Sequence, residues 1–403
     1  MKNDQDHIKP ITRRPVLRLL AGGAVAVAGI GAGVARLSPG AGRGEAPAAL
    51  TLSSHGDYGV YSLDIPLDGR RFSPSGDGRY VTEQLPTSTH SMVAFTWARA
   101  GREPRIRIRS RKRGTWQDWR PVPTLHDLPD RSSAEGSRGV VGTDLVWIGA
   151  ADGVQVEVDG TRPEDLTVVL LHPARVRGRA GLSAHRTRND PDDDQARERV
   201  PRPRLRRRRH WGADRSWRPD EITYNETVRQ VHVHHTVNSN DYSRKDVAGL
   251  IRGMYRYHTE YLGWSDIGYN FLVDRFGRTW VGRAGGPSRP VRGAHTLGFN
   301  STSCGVSVIG NFETTEPNRA VVRAVARLAA WKLDRHGRTP TGRTTVRSEG
   351  SDRYAAGRKV RLPVIDGHRD TNETACPGRH LYAALPRIRR RAERIVDRYP
   401  DKD

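Results

Sequence analysis

In the C-terminal half of the chain, three short segments carry side chains that bind borderline-soft metal ions. Val231-His232-Val233-His234-His235-Thr236 reads as a strand, Gly367-His368-Arg369-Asp370 follows far downstream, and Cys376-Pro377-Gly378 reads as a loop eight residues beyond His368. Two imidazoles and a thiolate are three ligands that zinc accepts, and a fourth position left to water or substrate marks a catalytic site rather than a structural one. Spacing alone does not join residues so far apart, and a lone histidine is more often structural than metal-binding. Cys376 also has an alternative, because Cys304 is the one other cysteine and two cysteines in an oxidising compartment are expected to pair. Against a disulfide, Cys304 opens an apolar-alternating run at residues 304–309 and reads as a small buried hydrophobe.

The elements that must position these groups can be read from period and punctuation. Strands are expected at residues 231–236, 269–274, 279–281 and 304–309. A helix opens on Ser243 and Asp246, places Val247, Leu250, Ile251, Met254 and Tyr261 on one face, and closes at Gly263. A second helix is expected over residues 317–336, and a third from near Pro386, packed through Ile388, Ala392, Ile395 and Val396. Residues 205–403 are thus expected to form an α/β domain, a central mixed sheet flanked by helices. Residues 49–174 instead show short alternating runs broken by Gly, Pro and Asp, with strands at 92–97, 105–110, 145–148, 154–158 and 166–171. This predicts an all-β, sandwich-like domain. Arg105, Arg107, Arg109 and Arg111 alternate with Ile106 and Ile108, so one face is basic and the other buried. Trp97, Trp116, Trp119 and Trp147 serve either core packing or a sugar-stacking platform, which leaves this domain a candidate wall-binding module. Residues 175–204 read as a disordered charged linker.

The chain has 403 residues and a formal net charge of +23, which predicts attraction to polyanions. Thr12-Arg13-Arg14-Pro15-Val16-Leu17-Arg18, followed by a mild apolar run over residues 19–35, is similar to a twin-arginine export signal; an uncleaved membrane anchor is the alternative. Ala46-Pro47-Ala48 offers a cleavage site, giving a signal over residues 1–48 and a secreted monomer without a stable transmembrane anchor. An exported basic protein meets the cell wall before any chromosome, so no specific nucleic-acid partner is expected. The block formed by Arg204, Arg206, Arg207, Arg208 and Arg209 is either a solvated hinge or a tether to anionic wall polymers.

Trp211-Gly212-Ala213-Asp214, His234-His235-Thr236, Asp266-Ile267-Gly268-Tyr269-Asn270-Phe271, Gly293-Ala294-His295, Ile309-Gly310-Asn311-Phe312, Gly367-His368-Arg369 and Cys376-Pro377-Gly378 occur in this order. Together they closely resemble the peptidoglycan recognition protein family, or type 2 N-acetylmuramoyl-L-alanine amidases, in a bacterial, wall-directed form. The resemblance implies zinc held by His234, His368 and Cys376, with Tyr269 as the active-site tyrosine and Thr374 at a position held by lysine or threonine. It implies hydrolysis of the amide between N-acetylmuramic acid and L-alanine of peptidoglycan, the zinc bringing the pKa of a water towards about 7 and polarising the scissile carbonyl. Tyr269 and Thr374 would serve the transition state, with no carboxylate evident as general base. His235, Arg283 and His295 are candidate substrate contacts, His235 facing away from the metal by strand alternation. Gly285-Gly286 stands where diaminopimelate-selective relatives tend to carry Gly-Trp. The competing function is a non-catalytic peptidoglycan receptor, a form that typically lacks the cysteine this chain retains.

Overall fold

A computed structural model of the protein describes residues 48–54, 59–99, 103–174, 200–219 and 221–400. Residues 1–47 of the expected export signal, and residues 175–199 of the expected linker, lie outside the described residues. Among those described, no helix is long and apolar enough to cross a membrane.

The N-terminal strands are β1 (Ser53–Ser54), β2 (Val60–Pro66), β3 (Phe72–Pro74), β4 (Arg79–Thr82), β5 (Leu85–Ala98), β6 (Arg105–Lys112), β7 (Thr115–Trp116), β8 (Arg120–Val122), β9 (Val140–Gly142), β10 (Val146–Asp159) and β11 (Thr167–Pro173). All pairings between these strands are antiparallel, and β5 and β10, 14 residues each, carry the domain. β10 pairs with β5 near its start and with β6 over residues 153–159, which links all 11 strands into one hydrogen-bonded sheet. Ile106, Ile108, Val154, Val156, Val158, Val168 and Leu170 fill its core, as period-two alternation requires. The outward arginines are matched across the strand pair. Arg107 meets Glu157 at 2.9 Å, and Arg109 donates to Gln155 at 2.7 Å. Of the four tryptophans, Trp97 is buried in the core, while the Arg109 guanidinium lies 5.3 Å from the Trp116 ring and 5.1 Å from that of Trp119. Stacking on neighbouring arginines, rather than an open platform, is therefore the environment of Trp116 and Trp119.

The C-terminal sheet joins β12 (Leu205–Arg206), β13 (Gln230–His235), β14 (Phe271–Val273), β15 (Thr279–Val281), β16 (Ser303–Val308) and β19 (Ile365–Gly367) in the order β12-β15-β14-β16-β13-β19. Only β14 and β15 run antiparallel, so the sheet is mixed. Val231, Val233, Phe271, Val273, Val306 and Val308 point to one face, where they pack on α2 (Arg319–Asp334) and α3 (Arg379–Val396). The other face receives α1 (Val247–Arg256). A separate hairpin, β17 (Arg343–Arg347) with β18 (Lys359–Pro363), closes one side. α3 begins at Arg379, seven residues before the expected start, and takes Pro386 into its interior. Pro386 removes one backbone donor there, yet Leu381 and Leu385 before it and Ile388 after it are buried and hold the turns in place.

The described residues belong to one compact unit, and the two domains share an interior. Val60, Met92, Ala94, Leu145, Val169 and Leu171 of the β domain cluster with Val247, Leu250, Ile251, Met254 and Tyr257. Tyr257 Oη donates to the carbonyls of Phe95 and Thr143, at 3.0 and 2.9 Å. The end of the expected linker is also packed, with Val200 buried and its N–H donated to Asp334 Oδ2 at 3.0 Å.

Candidate metal centre

Strand alternation in β13 sends Val231 and Val233 into the core beneath α2 and α3 and turns His232 and His234 to the opposite face. His368 follows directly on β19, the parallel neighbour of β13, so both histidines stand at the carboxyl ends of adjacent strands. Open α/β sheets bind their ligands at that edge. The loop after His368 brings Cys376 back to it, pinned by Arg369 N–H to Cys376 O at 3.0 Å and by Cys376 N–H to Thr374 Oγ1 at 3.2 Å. Gly378 ends this loop at φ +86°, and a Cβ there would stand 2.3 Å from the Phe312 carbonyl carbon, so both the turn and its seating require glycine.

One donor atom each from His234, His368, Cys376 and Asp127 lies within 4.8 Å of the other three. Cys376 Sγ is 3.7 Å from His234 Nδ1 and 3.5 Å from the donating His235 N–H. His234 Nδ1 meets Asp127 Oδ1 at 2.7 Å, and His368 Nδ1 approaches the same oxygen to 3.0 Å. Tyr269 Oη donates to Asp127 Oδ2 at 2.6 Å. The His368 Nε2 atom is buried without a hydrogen-bond partner. Two imidazoles, a thiol and a carboxylate converging in a dry site are a donor set that zinc fits.

The electrostatics follow from burial. Burial pushes the His234 imidazole down to about 4 against the pull of Asp127, which keeps it in the neutral, ligating form. Burial, then the nearby Asp127 charge, pushes the Cys376 thiol well above its usual range, so a cation must enter for the thiolate to form. Burial would raise the Asp127 carboxyl, but His234 and His368 outweigh it and hold it well below the usual carboxylate range. Tyr269 is driven well above the ordinary phenol range, first by burial and then by Asp127, and stays protonated as a donor.

The sequence-predicted residues distribute as follows. His234, His368, Cys376 and Tyr269 come together. Thr374 acts on the cysteine loop, accepting the Cys376 N–H. His295 is wholly buried and shares a hydrogen bond with His234 Nε2 through its Nδ1, at 3.0 Å, the kind of outer contact that fixes a ligating histidine's tautomer. A Cβ on Gly305 of β16 would come within 2.4 Å of the His295 ring, so the glycine leaves that ring its place. His235 accepts the Phe312 N–H through Nδ1 at 3.1 Å. Arg283 is buried against Glu135 of the N-terminal domain, with Nη2 to Oε2 at 2.8 Å. The alternative of a disulfide is overturned, since Cys304 and Cys376 are both free and Cys304 belongs to the core beneath α2. Asp127 was not anticipated. It precedes His234 by 107 residues and lies in the β-rich domain, and its one local trace is a carboxylate between Leu125 and Leu128 in a stretch without strand alternation.

A family model described as N-acetylmuramoyl-L-alanine amidase matches residues 224–379, and one described as Rv3811 N-terminal galactose-binding domain-like matches residues 48–196. Peptidoglycan-recognition protein SC1a of Drosophila melanogaster is 31% identical over 152 residues, covering 37% of this chain and 68% of the fly protein. The N-acetylmuramoyl-L-alanine amidase of Homo sapiens is 33% identical over 159 residues, covering 38% of this chain and 23% of the human protein. Among solved structures, Drosophila PGRP-LB is 27% identical with a TM-score of 0.36, covering 45% of this chain and 92% of that one. An identity of 31% carried across more than two thirds of a fly recognition protein makes this chain a member of the peptidoglycan recognition protein family, the type 2 N-acetylmuramoyl-L-alanine amidases.

Proposed function

We propose that the protein is a zinc-dependent amidase, exported by its twin-arginine signal to the cell wall, where it hydrolyses the bond between N-acetylmuramic acid and L-alanine. The observation that carries this reading is the convergence of His234, His368 and Cys376 beside the Tyr269 hydroxyl. His234, His368 and Cys376 would hold the metal. A bound zinc supplies Lewis-acid polarisation of the scissile carbonyl and acidification of water. Tyr269, kept protonated, donates to the oxygen that gains charge as the carbonyl is attacked. His295 orients His234 by bonding its far nitrogen, and Thr374 holds the backbone that presents Cys376. Arg204 and Arg206 line one groove with Arg278, Arg323 and Arg327, a surface suited to anionic wall polymers.

The test incubates the protein with purified peptidoglycan and counts newly exposed alanine amino groups before chelation, after it, and after zinc is restored. Amino groups should appear, cease with chelation and return with zinc. Cleavage that survives complete metal removal would sink the mechanism, and wall sedimentation without any cleavage would leave a receptor. Within the same assay, Tyr269→Phe should lower kcat by about 10²-fold, as loss of one oxyanion donor does, with zinc content unchanged. A variant within twofold of the parent would remove Tyr269 from the reaction.

A further inference from the structure

A zinc that catalyses needs one position open to water or substrate. Here a carboxylate from the other domain lies among the donors that would hold the metal. Asp127 Oδ1 lies with the three expected donors in one 4.8 Å cluster, and Oδ2 of the same carboxylate takes the Tyr269 hydroxyl at 2.6 Å. One side chain thus stands among the metal donors and takes the hydrogen bond that Tyr269 would offer an oxyanion. His234, His368, Tyr269 and Cys376 are all buried, so the donor cluster presents no open face to a glycan strand.

The segment bearing Asp127 is built to stay there. It joins β8 to β9 without a strand of its own beyond an isolated bridge at Thr124, and two further carboxylates clamp it to the amidase domain. Asp130 Oδ1 accepts the Gly298 N–H at 2.7 Å and Oδ2 pairs with Arg292 at 2.7 Å. Glu135 accepts from both terminal nitrogens of Arg283, at 3.0 and 2.8 Å, and from the Ser265 N–H at 3.0 Å. Bidentate pairing of this kind fixes position as well as charge.

We propose that Asp127 completes the metal site as its fourth ligand, and that the segment between β8 and β9 thereby holds the amidase closed to substrate until it is displaced. This rests on the zinc amidase reading. The closed form lowers apparent substrate affinity by the fraction of molecules that are open, and a wall peptide rich in carboxylates and amides competes for the same sockets.

The experiment uses the full chain in three forms: wild type, Asp127→Ala, and the double variant Asp130→Asn/Glu135→Gln, which leaves Asp127 in place. Zinc per chain, the visible spectrum after cobalt substitution, calorimetric binding of a soluble muramoyl peptide and release of alanine amino groups are measured for each. Asp127→Ala should retain its metal, change the cobalt spectrum, and bind the peptide at least about tenfold more tightly, the factor set by the closed fraction. Its cleavage rate at low substrate should rise in step. The double variant should tighten binding in the same direction, and it serves if Asp127→Ala does not fold. Three outcomes overturn the proposal: Asp127→Ala keeps its metal but loses cleavage, which makes the carboxylate part of the reaction; it loses the metal, which makes Asp127 a structural ligand; or peptide affinity is unchanged in both variants. Tighter binding and an altered cobalt spectrum with no cleavage by any form would support closure while refuting the amidase reading.

Discussion

Replacing Cys376 by serine should lower cleavage by about 10³-fold or more, through the loss of several kcal/mol of transition-state charge stabilisation. Cys376 is the only sulfur in the donor cluster and the only one of the four donors whose charge depends on the metal's arrival, since burial otherwise keeps the thiol protonated. A serine hydroxyl at the same place is a hard, neutral donor that zinc does not retain against water. Zinc content should fall together with the rate. The loss should be equally complete in wild type and in an Asp127→Ala background, because an open site without its thiolate holds no metal to act. Wall sedimentation and the thermal unfolding midpoint of the metal-free protein should both be preserved. A Cys376→Ser protein that cleaves within tenfold of the parent would remove the cysteine from the ligand set, and one that does not fold would make it structural.

The second large effect is on stability. Trp331→Ala should destabilise the protein by about 3–5 kcal/mol, read as a lower urea midpoint at unchanged slope. Trp331 is wholly buried on α2 and meets Phe271 of β14 edge to face, with centroids 6.2 Å apart. The indole backs the sheet opposite the metal ligands, where Val231, Val233, Val306 and Val308 also point. Truncation leaves a cavity that a sheet buried on both faces cannot collapse to fill. A loss below about 1 kcal/mol would mean that α2 shifts to close the gap, and it would contradict the rigidity ascribed to that layer.

Much of this was legible before any coordinates. The alternation of Val231 and Val233 with His232 and His234 predicts which side chains face the site, because strand period is a local property. The apolar stripe of α1 and its opening at Ser243, whose N–H bonds Asp246 Oδ2 at 2.8 Å, are local in the same sense. β19 is not legible in the sequence because Ile365–Gly367 is too short to show a period, although it positions His368. α3 starts before the position its proline suggests, because proline is favoured in a first turn whereas Pro386 is held mid-helix by the burial of Leu381, Leu385 and Ile388. Arg283 and His295 read as groove residues, and only tertiary packing assigns one to Glu135 and the other to His234. Asp127 was beyond reach for the deepest reason. Nothing within its own segment reveals that a carboxylate of the β domain will lie against histidines of another sheet.

The interior shared by the two domains constrains how such a molecule can move. Met92, Leu145 and Leu171 are interleaved with Leu250, Ile251 and Met254, so swinging the β domain away as a body would strip a hydrophobic core and wet it. Lifting only the stretch between β8 and β9 breaks a few ion pairs and withdraws Leu125 and Leu128 from the edge of that core, leaving the rest of it in place. Any opening is therefore a loop-sized event hinged near Val122 and Val140, reversible without cutting the chain.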